Sequence, residues 1–266
     1  MTEETGHFRR EDCDLHYWID GPPDAPAVLF SHGATLDNES WLPQTEHFRQ
    51  HYRVIRWDMR GHGRSRPWTG THTIDRFADD MVALLDHLGL DRVALVGLSL
   101  GGYASQAVAR RHAERVSALA VFDATNLYDT PLSRFMTFMM AQSSRLIGLY
   151  PWRTLVDLTA KQSAVQPQVQ AYIRRVVGQL TKSEYIAIWG AVQTGLRHDS
   201  AYRFGGPMLL GMGDKDNVGV VAAGMRHWAQ SWPTAQFAII PDAGHCSNQD
   251  NPDAVNALLA QWLDRI

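Results

Sequence analysis

The hydrophobic positions of the chain form two alternating kinds of pattern. Short apolar runs, typical of strands buried on both faces, recur between longer segments whose apolar residues have helical spacing. The runs predict strands at 15–19, 27–31, 52–57, 93–98, 116–123, 207–211 and 236–240. Because strands and helices alternate, the sequence predicts an α/β protein with a mainly parallel sheet covered by helices.

The segment 74–88 shows the helical pattern most clearly. Its apolar residues at 74, 77, 81, 84, 85 and 88 lie on one face of a helix. Thr73 is a suitable N-cap and Gly89 a suitable stop. Further helices are predicted at 103–113, 221–231 and 252–266. Each follows a predicted strand, as expected for strand–helix–strand units.

The pattern changes between residues 126 and 204, where helical spacing continues and strand patterns are few. We expect a helical cap inserted into a core domain of residues 1–125 and 205–266. The insertion carries nine Lys and Arg against four Asp and Glu. Its large side chains either line a substrate pocket or form the cap's own core: Met136, Met139, Met140, Trp152, Tyr172, Tyr185 and Trp189.

Composition excludes several classes of function. The 266 residues are 45% hydrophobic and 20% charged, as in ordinary soluble proteins, and the net charge of −3 does not favour nucleic-acid binding. Residues 1–14 lack the apolar core of a signal peptide, and no apolar run is long enough to cross a bilayer. The two cysteines, Cys13 and Cys246, do not suggest a disulfide scaffold. We expect a cytoplasmic protein that binds neither nucleic acid nor membrane.

Ser99 is the first candidate for chemistry. It lies in Gly97-Leu98-Ser99-Leu100-Gly101-Gly102, directly after a predicted strand and before a predicted helix. A G-x-S-x-G segment at a strand-to-helix turn exposes its serine as a nucleophile. Because a serine hydroxyl is a poor nucleophile at neutral pH, it requires a base and a third group that orients the base.

His245 is the candidate base, since it follows the last predicted strand in Asp242-Ala243-Gly244-His245. The acid is expected between Ser99 and His245 in the chain. Two aspartates, Asp214 and Asp216, follow the penultimate strand, and a third, Asp123, ends an earlier strand. An aspartate that is not the acid is expected to cap its own turn.

A hydrolysis of this kind also requires N–H donors for the oxyanion. The N–H of Leu100 is one candidate, because it lies at a helix N-terminus directly after the nucleophile. The N–H of Ala34, in the loop after strand 27–31, is the second. We interpret the neighbouring His32 as a residue that shapes this loop rather than as a second base.

Together these segments resemble the α/β-hydrolase superfamily over nearly the whole chain. They are Ser31-His32-Gly33-Ala34, Asp58-Met59-Arg60-Gly61-His62-Gly63-Arg64-Ser65, the Ser99 segment, Gly213-Asp214-Lys215-Asp216 and Ala243-Gly244-His245. The resemblance implies a mainly parallel eight-stranded sheet flanked by helices, with a helical lid after the sixth strand. It also implies a triad of Ser99, Asp216 and His245, because the second aspartate of the G-x-x-D pattern is the family's acid. No metal or organic cofactor is implied.

The resemblance leaves the substrate open. A serine nucleophile argues against the dehalogenase and epoxide hydrolase branches, which require a carboxylate nucleophile. The first hypothesis is hydrolysis of a small-molecule carboxylic ester; the alternatives are a lactone, an enol-lactone or a diketone C–C bond, or a non-catalytic ligand receptor. A substrate carboxylate would find candidate partners among the arginines of the insertion: Arg134, Arg145, Arg174 and Arg175.

Overall fold

The computed structural model describes residues 3–68, 70–130, 148–197, 199 and 202–266. Within them, eight strands form one sheet in the order β1-β2-β4-β3-β5-β6-β7-β8. The pairs β1–β2 and β2–β4 are antiparallel, and the other pairs are parallel. The predicted mainly parallel eight-stranded sheet is therefore confirmed. Its strands are β1 (Glu4–Arg10), β2 (Cys13–Asp20), β3 (Ala27–Ser31), β4 (Arg53–Trp57), β5 (Val93–Leu98), β6 (Val116–Phe122), β7 (Met208–Gly213) and β8 (Gln236–Ile240).

Among the eight strands, β1 is the one that the hydrophobic pattern does not predict. It lies at the edge of the sheet, and its residues alternate between exposed and half-buried positions. A strand that buries neither face fully needs no apolar run, so its sequence resembles that of a polar terminus.

The helices cover both faces of the sheet and include the predicted segments. Helix α2 begins after Thr73, whose side chain accepts a hydrogen bond from the Arg76 N–H at 3.1 Å. Gly89 follows the helix with a φ of +65°, the left-handed conformation common at helix ends. The helices are α1 (Leu42–Phe48), α2 (Ile74–His87), α3 (Leu100–Arg111), α4 (Trp152–Ser163), α5 (Pro167–Val177), α6 (Lys182–Gly195), α7 (Val221–Ser231), α8 (Ser247–Asp250) and α9 (Pro252–Leu263).

The central strands are buried on both faces. In β5, Val93 and Leu95 pack into one apolar cluster, whereas Ala94, Val96 and Leu98 pack into the cluster on the opposite face. This two-sided burial explains why β5 has a continuous apolar run instead of an alternating one. In the part of the chain that the structure describes, no helix is both long and apolar enough to cross a membrane.

Helices α4, α5 and α6 lie between β6 and β7 in the chain. Among the large side chains of that segment, Met136, Met139 and Met140 lie outside the described residues, as do Arg134 and Arg145. The loops that follow β3, β5, β7 and β8 leave the carboxyl ends of parallel strands, so they meet at one edge of the sheet. These loops carry Ala34, Ser99, Asp216 and His245.

Candidate active site

Ser99 lies on a strained turn between β5 and α3. Its φ of +50° is rare for a residue with a side chain. Two glycines make the turn possible, because a Cβ on Gly97 would lie 2.5 Å from the Gly101 backbone. A Cβ on Gly101 would lie 2.2 Å from the Ser31 backbone oxygen. The G-x-S-x-G spacing therefore follows from the close approach of strand and helix at this turn.

His245 and Asp216 lie beside this serine. The Nε2 of His245 is 2.9 Å from the Oγ of Ser99, and its Nδ1 is 2.9 Å from Oδ2 of Asp216. The other carboxylate oxygen of Asp216 accepts a hydrogen bond from the Val218 N–H at 2.9 Å. All three side chains are buried. Two successive hydrogen bonds thus connect the serine hydroxyl to a carboxylate through one imidazole.

The pKa of His245 results from two opposing effects. Burial lowers the pKa of the imidazole, but the charge and hydrogen bond of Asp216 outweigh it, so the pKa lies above 6.5. Asp216 therefore stabilises the imidazolium that forms when His245 accepts a proton. An imidazole oriented in this way can deprotonate a serine hydroxyl.

The other two aspartates of the sequence analysis have different environments. Asp214 is exposed and accepts a hydrogen bond from the Ala243 N–H at 3.0 Å, which lowers the pKa of its carboxyl. This contact connects the loop after β7 to the loop of His245. Asp214 therefore joins two loops of the site and does not contact the imidazole of His245.

Asp123 is fully buried and connects the end of β7 to the segment that follows His245. Its Oδ1 accepts a hydrogen bond from the Gly213 N–H at 2.8 Å, and its Oδ2 bonds to the hydroxyl of Ser247. Burial, reinforced by the nearby charge of Asp216, raises the pKa of Asp123 to about 8. Burial therefore favours the protonated form of this carboxyl.

The two predicted oxyanion donors belong to segments that adjoin Ser99. Ala34 lines the small cavity above the serine, and Leu100 begins α3, where the helix dipole favours negative charge. A Cβ on Gly33 would be 3.6 Å from the Ser99 Cβ, so the loop after β3 runs directly against the serine.

His32 holds that loop in shape, as predicted. Its Nδ1 donates to the Gly33 carbonyl at 2.8 Å, and its Nε2 accepts from the Met59 N–H at 3.0 Å. These roles require a neutral imidazole, and burial lowers the pKa of His32 to about 4.

Sequence reasoning missed the contacts between the His245 loop and the end of helix α4. The N–H of Cys246 donates to the Ser163 carbonyl at 2.7 Å. Asp250 accepts hydrogen bonds from the N–H groups of Gly244 and Val165, both at 2.8 Å. No local pattern indicates these contacts, because they join segments about 80 residues apart in the chain.

Two cavities adjoin the candidate site. The smaller, of about 20 Å³, lies over Ser99 and His245. The larger, of about 420 Å³, lies between helices α4 and α6 and the loop after Asp216. Thr159 and Trp189 line both cavities, so the two spaces share a wall. Tyr185 also lines the larger cavity. Two of the large aromatic side chains between residues 126 and 204, Tyr185 and Trp189, therefore face a cavity.

Two of the four candidate arginines are described, and both form ion pairs. Arg174 donates to Asp157 at 2.8 Å, and Arg175 pairs with Glu39 at 2.5 Å. Neither lines the cavity over Ser99 or the larger cavity beside it.

Comparisons with known proteins agree with this architecture. A family model for the α/β hydrolase fold matches residues 26–252. The chain belongs to the α/β-hydrolase family. This α/β hydrolase is 26% identical over 266 residues to 3-oxoadipate enol-lactonase 2 of Acinetobacter baylyi, across 97% of this chain and 98% of the relative.

Two solved structures extend the comparison. The enol-lactonase from Burkholderia xenovorans LB400 has a TM-score of 0.84 and 28% identity, over 97% of this chain and 100% of that chain. A thermophilic esterase from Thermogutta terrifontis has a TM-score of 0.82 and 25% identity, over 100% and 99% of the two chains. The predicted family, fold and enzymatic nature of this α/β hydrolase are confirmed.

Proposed function

We propose that this α/β hydrolase is a serine hydrolase that cleaves a carboxylic ester through an acyl-enzyme on Ser99. The observation that carries the proposal is the pair of 2.9 Å hydrogen bonds that join Ser99, His245 and Asp216. In this proposal Ser99 is the nucleophile, His245 is the general base and Asp216 orients the base.

In the first half of the reaction, the Ser99 Oγ attacks the ester carbonyl carbon while its proton passes to Nε2 of His245. The carbonyl oxygen becomes an oxyanion, which the N–H groups of Ala34 and Leu100 stabilise. The tetrahedral intermediate then collapses, and the C–O bond to the alcohol breaks. The imidazolium of His245 returns the proton to the departing alkoxide, and the acyl group stays on Ser99.

In the second half, water attacks the acyl-enzyme while His245 accepts a proton from it. The second tetrahedral intermediate breaks the bond to Ser99, and the imidazolium returns the proton to the Ser99 Oγ. The products are one carboxylic acid and one alcohol. The proposed chemistry uses only groups of this chain and water.

The proposed domain division is a core of residues 1–125 and 205–266 and a cap of residues 126–204. It is supported by the sheet, whose eight strands all lie within the proposed core. The larger cavity combines cap helices α4 and α6 with core residues such as Tyr103 and Val218. In this division the core supplies the chemistry and the cap contributes to substrate binding.

A lactone is the second candidate substrate, and two relatives favour it. The curated relative is named a 3-oxoadipate enol-lactonase, and one solved neighbour is also an enol-lactonase. A lactone is a cyclic ester, so the same steps apply, except that the leaving oxygen remains attached to the acyl group. The triad geometry is therefore compatible with both substrates.

The test is hydrolysis of p-nitrophenyl esters from acetate to decanoate, together with an unsubstituted γ-lactone and an enol-lactone. We expect turnover with the wild type and a loss in kcat of at least about 1,000-fold in Ser99→Ala. Ser231→Ala is the matched control, because its hydroxyl contacts only the Trp228 carbonyl on α7 among the described contacts.

Each outcome has a defined meaning. A burst of one p-nitrophenol per enzyme would identify the acyl-enzyme directly. Turnover of a lactone but of no open-chain ester would favour the second candidate. Equal activity of Ser99→Ala and wild type would refute both.

A further inference from the structure

The larger cavity has an uncharged described lining, although one relative is named for the acid 3-oxoadipate. Among the described residues that line its 420 Å³, none is Lys, Arg, His, Asp or Glu. Its walls are mostly aliphatic and aromatic, and they include Tyr103, Leu155, Leu158, Trp189, Val192 and Val221.

Three hydroxyl groups in this lining already have partners within the protein. Thr159 Oγ1 donates to the Leu155 carbonyl at 2.8 Å and lies 2.8 Å from the Tyr185 hydroxyl. The Tyr103 hydroxyl lies 3.0 Å from Oγ1 of Thr125. Because these groups are satisfied, the cavity presents mainly apolar surface to a ligand.

Three cations of helices α4, α5 and α6 are engaged elsewhere. Lys161 and Arg174 both pair with Asp157, at 2.7 and 2.8 Å. Lys182 donates to the backbone carbonyls of Gly148 and Tyr150. A ligand carboxylate in the cavity would therefore meet no cation of the described lining, whose remaining polar side chains include the carboxamides of Gln162 and Gln193. Neutral amides compensate the desolvation of a carboxylate less well than a cation does, so a neutral ligand is favoured.

We propose that the 420 Å³ cavity is the subsite for a neutral apolar acyl chain, and that this enzyme selects uncharged esters over esters bearing a second carboxylate. The inference rests on the proposed ester chemistry at Ser99. The shared wall of Thr159 and Trp189 places such a chain beside the space over the nucleophile. The ligand class thus differs from the acid named for the 3-oxoadipate relative.

The first test compares two esters with the same six-carbon acyl chain. One is p-nitrophenyl hexanoate, and the other is the mono-p-nitrophenyl ester of adipic acid, which ends in a carboxylate. We expect kcat/KM to favour the neutral ester by about 100-fold, because only the charged ester must bury a carboxylate that meets no cation of the described lining. An equal or higher value for the charged ester overturns the proposal.

A charge placed in the cavity should reverse part of this preference. Leu158 lines the cavity and is 39% exposed, so Leu158→Arg can be accommodated at the surface while its guanidinium reaches a bound carboxylate. We expect the preference to fall about tenfold. Leu149→Arg is the control, because Leu149 is 79% exposed and is not part of the lining. An unchanged preference in Leu158→Arg overturns the assignment of the chain to this cavity.

A binding measurement separates this inference from the proposed function. Isothermal titration of Ser99→Ala with methyl hexanoate and with monomethyl adipate reports ligand class without turnover. Tighter binding of methyl hexanoate supports the inference, even if the wild type hydrolyses neither ester and the proposed function fails. Tighter binding of monomethyl adipate, or binding of neither ester, overturns it.

Discussion

The fully buried carboxyl of Asp123 should make the stability of this protein depend on pH in a specific way. Its pKa in the folded protein is raised to about 8 from an ordinary value of 3.8. Between these values the folded state holds a proton that the unfolded state has released. The stability that this proton provides is present below about pH 4 and is lost as pH rises through about 8.

The substitution Asp123→Asn removes this titration and keeps the shape of the side chain. Its Oδ1 still accepts from the Gly213 N–H, whereas its new NH₂ group faces the Ser247 N–H, which lies 3.4 Å from Oδ2 of Asp123. Loss of that long hydrogen bond should cost about 1 kcal/mol. As pH rises from about 5 to about 8, the wild type should lose up to about 1.4 kcal/mol per pH unit relative to the variant.

The assay is urea unfolding at pH 5, 6, 7 and 8, followed by circular dichroism. We expect the variant to be more stable than the wild type by about 1 kcal/mol or less at pH 5 and by about 4 kcal/mol at pH 8, because the wild type loses the stability of the bound proton throughout this range. Asp214→Asn is the control: the pKa of Asp214 is lowered, so its contribution is complete above pH 5 and its difference from wild type should stay constant. A constant difference for Asp123→Asn as well would show that Asp123 is ionised throughout and would refute the reasoning.

Three further predictions concern the site and its support. Asp216→Asn should lower kcat by about 10,000-fold and move the acidic limb of the kcat/KM profile to lower pH, because the charge that raises the pKa of His245 is lost. Gly101→Ala should prevent accumulation of folded protein in an expression and solubility assay, since its Cβ would lie 2.2 Å from a backbone oxygen of β3. Asp80→Asn should lower the free energy of unfolding by about 3–5 kcal/mol in urea titrations, because the buried Arg60 guanidinium donates to both Asp80 oxygens at 2.7 Å.

The elements that the sequence predicts best are those whose burial is two-sided or sharply one-sided. Strand β5 buries a continuous apolar run, and helix α2 buries apolar residues with helical spacing. The edge strand β1 could not be found this way, since its pairing with β2 depends on backbone hydrogen bonds that any polar sequence can form.

For the candidate site, the motif spacing predicts Ser99 and His245, and the structure brings the Oγ and Nε2 of these residues to 2.9 Å from each other. Their catalytic roles stay predictions. The residue pattern offers both Asp214 and Asp216, and the resemblance to the α/β hydrolases favours Asp216. Local sequence does not show the burial and orientation that distinguish the two carboxylates within one loop. In the structure Asp214 is exposed and Asp216 is buried against the imidazole.

The contacts of the His245 loop with the end of α4 have a mechanical consequence. Ser163 and Val165 are bonded to the loop of the base, whereas Thr159, one turn earlier in the same helix, lines the large cavity. The end of α4 is therefore a fixed pivot. If this end moved outward when substrate entered, it would pull the imidazole out of line with the serine. Entry without loss of alignment thus requires α4 to rotate about this end, with a displacement that grows toward its opposite end.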